Sequence, residues 1–119
     1  MTYERGEQQF ERRIDDAIRG RVSELESDGI ALAVIVADGR YGFDLLGDDL
    51  IVFVRRCLTA MLEAGAKPVI GGGGTRYYWI EQPRYGSNPR EIVDNVIAEW
   101  RAKGDPDHGG LWFAKPHLF

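Results

Sequence analysis

The sequence predicts an α+β fold, a single domain in which three amphipathic helices pack on one side of a small, mainly antiparallel sheet. Three observations carry that expectation. Three long segments repeat apolar residues at three- and four-residue steps. Short β-branched and aromatic segments lie between and after them, two of them joined by a run of glycines. The 119 residues show neither an internal repeat nor a shift in composition, and that length suits one hydrophobic core.

The first helix is expected over residues 3–27, where Phe10, Ile14, Ala17, Ile18, Val22 and Leu25 form one apolar stripe and Asp28-Gly29 marks the end. The run GIALAVIVADG follows. Its length does not separate a buried strand from a short buried helix, but β-branching and the flanking glycines favour a strand over residues 30–37. Beyond the turn-rich DGRYGFDLLGDD, a second helix is expected to start at Asp48 or Asp49, whose carboxylate can cap the free first-turn amides. Its stripe runs from Leu50 through Phe53, Val54, Cys57 and Leu58 to Met61 and Leu62; Gly65 stops it, and Pro68 follows.

The third helix has the fullest set of signals. Asn88 is a good cap, Pro89 fits the first helical position, and Glu91 stands at the capping-box position. Ile92, Val93, Val96, Ile97 and Trp100 make its buried face before Gly104 and Asp105-Pro106 close it. Residues 68–70 and 77–82 read as the strands of a hairpin, and LWFAK as one more strand near the C-terminus.

Composition excludes several classes of function. With 44% apolar and 29% charged residues the chain is neither disordered nor fibrous. A net charge of −4 argues against nonspecific nucleic-acid binding and is compatible with a basic partner. One cysteine, Cys57, rules out an internal disulfide framework and fits a reducing compartment, so a cytoplasmic location is expected. No apolar run follows Met1, and the longest one, residues 30–37, is too short to span a bilayer, so neither secretion nor membrane insertion is expected.

No reaction motif survives inspection. Gly71, Gly72, Gly73 and Gly74 are followed by Thr75-Arg76 and a strand. A phosphate loop needs a lysine and a helix there, and in the dinucleotide fingerprint the third glycine falls on Arg76. A hairpin tip is the reading that remains, and no cofactor is implied. The acids Asp38, Asp44, Asp48 and Asp49 miss the calcium-loop spacing, because position six counted from Asp38 is Phe43 and position twelve is Asp49. Turn and cap roles account for them, and no metal is expected. His108 and His117 lack nearby cysteines for a zinc pattern, Cys57 falls on an apolar stripe, and no serine sits in a G-x-S-x-G elbow.

The stretch TRYYWIEQPRYG is the strongest candidate for a functional surface. A strand here turns Tyr77, Trp79 and Glu81 to one face and Tyr78, Ile80 and Gln82 to the other. Both faces are then aromatic, beside Arg76, Arg84 and Tyr85, and Tyr, Trp and Arg are the residues that anchor interfaces. The bland alternative is that helix ends or the C-terminal tail cover both faces.

Three functions follow. The first, favoured here, is a non-catalytic protein-binding module, accessory or immunity-like, that uses Arg76, Tyr77, Trp79, Arg84 and Tyr85. The second is a small-molecule or anion-binding, enzyme-like domain with a cleft between the Gly71–Gly74 loop and the turn at His108, where Arg76 meets the anion. The third is homo-oligomerisation through the same strand.

Overall fold

The computed structural model describes residues 2–72 and 79–119. Within them the chain forms α1 (Thr2–Glu24), β1 (Ile30–Ala31), α2 (Leu32–Ala37), a π-helical turn (Asp38–Gly42), α3 (Gly47–Glu63), β2 (Lys67–Gly71), β3 (Trp79–Glu81), a 3-10 turn (Pro83–Tyr85), α4 (Pro89–Lys103), β4 (Trp112–Ala114) and a closing 3-10 turn (Pro116–Leu118). The strands form one antiparallel sheet in the order β1-β4-β2-β3. The α+β class is as the sequence predicts, with one helix more than the three expected.

The additional helix corrects the strand expected over residues 30–37. Only Ile30 and Ala31 pair with β4; the amide of Leu32 still reaches the carbonyl of Leu111 at 2.9 Å, and the chain then coils. Leu32, Ile35 and Val36 are buried and the residues between them half-buried. A segment apolar on every side suits a short helix enclosed by its neighbours, and this packing outweighs the β-branching that favoured a strand.

α3 starts at Gly47, one residue before the expected caps. Leu46 occupies the capping position without a side-chain bond, and Asp48 and Asp49 lie inside the first turn. There their charge favours the positive end of the helix dipole, which is a different device from the cap expected. α4 matches its signals. The Asn88 side chain accepts from the amide of Glu91 at 2.9 Å; the Gly104 amide donates to the Trp100 carbonyl at 2.9 Å, and φ = 87° at Gly104 then turns the chain away from the helix.

Residues directly opposite in the ladders share a face. One face of the sheet carries Ile30, Pro68, Phe113, Ile70 and Ile80. Ile30 and Phe113 lie in the core with the stripes of α1, α3 and α4. The other face carries Ala31, Trp112, Val69, Trp79 and Glu81. The hairpin of β2 and β3 therefore starts inside the fold at Pro68 and leaves it at Ile70 and Ile80, which are 37% and 50% exposed.

At the other end of the sheet, Lys115 pairs with Glu26, and His117 Nε2 lies 2.9 Å from the Glu26 carbonyl oxygen, tying the C-terminal tail to the end of α1. Arg21 of α1 holds Asp38 with two bonds of 2.7 and 2.8 Å and Glu24 with one of 2.8 Å. This pins the π-helical turn, and the two carboxylates raise the guanidinium's pKa further above its already high ordinary value.

Candidate functional site

The hairpin is built from alternation. Ile70 stands opposite Ile80, and Gly71 opposite Trp79. The side chain of Ile80 lies over Gly72, where a Cβ would overlap it. On the other face the half-buried Trp79 meets Trp112 with ring centroids 5.2 Å apart and planes inclined by 35°. Trp112 is fixed in turn by its Nε1, which donates to the His108 carbonyl at 2.7 Å. Val69, opposite Trp112 and diagonal to Trp79, is fully buried. At Gly29 a Cβ would come within 2.8 Å of Cζ2 of Trp79, so the indole lies directly on that backbone.

β3 is an edge of the sheet formed by the described residues. The Gln82 amide nitrogen donates to the carbonyls of Ile80 and Glu81, both at 3.2 Å, which covers the lower end of that edge. Of the residues expected to form the functional surface, Trp79 lies on this hairpin, with Gly71 and Gly72 opposite and beside the strand. Gly73, Gly74, Arg76 and Tyr77 lie outside the described residues, as does Tyr78. Ile70 and Trp112 were missed by the sequence reading; only the strand register puts them beside β3.

Arg84 and Tyr85 do not join the Trp79 face. They sit in the 3-10 turn packed on α4, where the Asn95 amide donates to the Tyr85 carbonyl at 2.7 Å and the Tyr85 side chain is buried in the core. Proline 83 stops the strand and turns these two residues toward the helix. The Arg84 guanidinium lies over the Tyr85 ring at 4.1 Å, donates to its hydroxyl at 2.5 Å and reaches both Glu99 oxygens at 3.1 and 3.2 Å. Lys103 Nζ is a further 3.2 Å partner of Glu99. Arg84, then Tyr85 and Lys103, hold the Glu99 carboxyl down at about 2. Burial, with the bond to Glu99, pushes the Tyr85 phenol up to about 12.

This network borders a cleft of about 200 Å³ at the C-terminal end of α4. Leu32, Val96, Trp100, Pro106 and Leu111 supply apolar walls, and Glu99, Lys103 and Asp105 are its charged lining. Trp100 Nε1 donates to Asp105 Oδ1 at 3.1 Å, and Arg40 donates to both oxygens of Asp105. The Arg40 bond, then the Trp100 bond, lower the Asp105 pKa. The cleft touches the C-terminal turn at Gly110, but Gly71 and Gly72 are not in its lining, so it is not the glycine-loop cleft of the second functional reading.

Of the remaining polar candidates, Cys57 and Asp38 have structural partners. Cys57 is fully buried with its thiol 3.8 Å from the Met61 sulfur, and burial pushes its pKa up to about 12, the reverse of an activated nucleophile. Asp38 is engaged by Arg21. His108 is exposed and contributes its carbonyl to Trp112. Among the described residues no helix is long and apolar enough to cross a membrane. In comparisons with protein families, with curated proteins and with solved structures, nothing matches this chain.

Proposed function

We propose that the protein is a non-catalytic binding module that takes up an extended, basic segment of another protein along β3, beside Ile70 and Ile80. The observation that supports this reading is the Ile70–Ile80 pair, which continues the core face of the sheet past the helices and into solvent. An added strand would pair with the β3 backbone for affinity and rest an apolar side chain on this pair for specificity. Glu81 is exposed on the opposite face of the same strand, and the chain carries a net charge of −4, so basic side chains alternate favourably with the apolar ones.

A second copy of the chain is a poorer occupant. Two acidic chains repel, and a three-residue edge supplies little of the roughly 800 Å² per partner that a stable dimer buries. An immunity-like role against a basic protein in a reducing compartment is the version that best suits the charge and the single buried thiol. Selection from a displayed library of random peptides tests the reading. The expected binders alternate apolar with Lys or Arg and lose binding to the Ile70→Asp/Ile80→Asp variant. Binders without that pattern, or binding unaffected by the double substitution, overturn it.

A further inference from the structure

The cleft at the end of α4 carries an inference independent of the hairpin. We propose that it is a binding site for a small primary amine with an apolar body, a single-ring arylalkylamine in size, whose ammonium is received by Glu99 and Asp105.

Size comes first. About 200 Å³ is below the roughly 300–1,000 Å³ of sites for drug-sized ligands, which excludes a nucleotide and leaves room for one ring and a short arm. The walls suit an apolar body: Trp100 and Tyr85 are aromatic, and Leu32, Val96 and Leu111 are aliphatic.

Charge then fixes the polar end. The charged lining is Glu99, Asp105 and Lys103, and Arg84 and Arg40 hold the two carboxylates from outside it, so the place open to a ligand cation is the one that Lys103 now takes on Glu99. The two arginines orient the carboxylates and keep them ionised. Ionised carboxylates only accept hydrogen bonds, so the complementary ligand group is a donor. The cleft also lies at the C-terminal end of α4, the negative end of its dipole, and between aromatic side chains, both of which favour a cation.

The molecule already places an amine there. Lys103 Nζ is 3.2 Å from Glu99 Oε1, with its side chain 72% exposed in an i,i+4 surface pair. Such a pair holds its geometry weakly, so a ligand ammonium can replace it on Glu99.

The test is titration of 2-phenylethylamine into the ¹⁵N-labelled full chain, with phenylacetate as the size-matched anion. The expected result is saturable binding in roughly the millimolar range, with shifts at the Trp100 indole N–H, Gly104, Gly110 and Leu111, and at least about ten-fold weaker binding of phenylacetate. Lys103→Ala removes a competing ammonium from the surface and is expected to tighten binding about two- to five-fold, whereas Glu99→Gln weakens it about ten-fold. Thermal midpoints check that both variants fold, and the surface Lys103→Ala variant keeps the test decisive if Glu99→Gln does not. Phenylacetate binding as tightly as the amine, shifts located elsewhere, no binding at about 10 mM, or a Lys103→Ala variant that binds no tighter would each overturn the proposal.

Discussion

Trp79 and Trp112 meet on the outer face of the sheet from strands that do not pair with each other, since β2 runs between β3 and β4. Their contact spans the width of three strands and closes over Val69, which is fully buried. Trp112 is tied to the His108 carbonyl and Trp79 rests on Gly29, so the base of the hairpin is anchored on the face opposite the core. Ile70 and Ile80 reach solvent on the other face of the same hairpin.

Gly29→Ala tests the anchor. The new methyl meets the edge of the Trp79 ring, which can swing aside, so the cost in stability is expected to stay within about 1 kcal/mol. The pairing of the indoles should suffer more than the stability does. The expected outcome is loss of the coupled-indole signal in near-ultraviolet circular dichroism, comparable to that in Trp112→Phe, with the thermal midpoint lowered by only a few degrees.

Asn88→Ala removes the side chain that satisfies the Glu91 amide at the start of α4. A loss of about 1 kcal/mol is expected in urea unfolding, with an unchanged m-value because the surface exposed on unfolding stays the same.

Acid stability should report Glu99. Its carboxyl is held at about 2 in the fold, below the ordinary 4.5. A depressed folded pKa contributes stability that is fully present above the unfolded value and is lost as pH falls through the folded one. The loss is therefore expected between about pH 5 and pH 2. Glu99→Gln should lower the unfolding midpoint above that window, flatten its fall across the window, and differ little from the wild type below it.

Cys57 should behave as a packing residue. With its thiol pushed up to about 12 and fully buried, it is expected to resist aromatic disulfide reagents at neutral pH until the protein unfolds. Labelling of the native protein as fast as that of the urea-unfolded chain would contradict the burial described here.

The parts of the fold legible from sequence are those set by local chemistry. Asn88, Pro89 and Gly104 act within α4 itself, and its observed bounds follow from them. Residues 30–37 were misread because their outcome rests on what surrounds them: an apolar octapeptide has no period to read, and only the packing around Leu32, Ile35 and Val36 turns it into a helix. Asp48 and Asp49 stand next to a helix start, and with the cap two residues earlier, at Leu46, they become first-turn acids instead.

The candidate site divides in the same way. Trp79 and Ile80 were placed on opposite faces by simple alternation. Arg84 and Tyr85 are adjacent to that strand in sequence, yet Pro83 redirects them to α4. Trp112 could be joined to the site only through the register of β4 on β2, which pairs residues more than forty positions apart, and Ile70 only through that of β2 on β3. Glu99 and Asp105 lie six residues apart, but what holds each of them, Arg84 and Arg40, is distant in sequence.

The most direct measurement is a titration of the ¹⁵N-labelled protein with a short peptide of alternating lysine and valine, beside one of alternating glutamate and valine. The account predicts saturable shifts centred on Ile80, Glu81 and Ile70 for the basic peptide, weakened by salt and lost in Ile80→Asp. Equal binding of the acidic peptide, or shifts that leave β3 untouched, would contradict it.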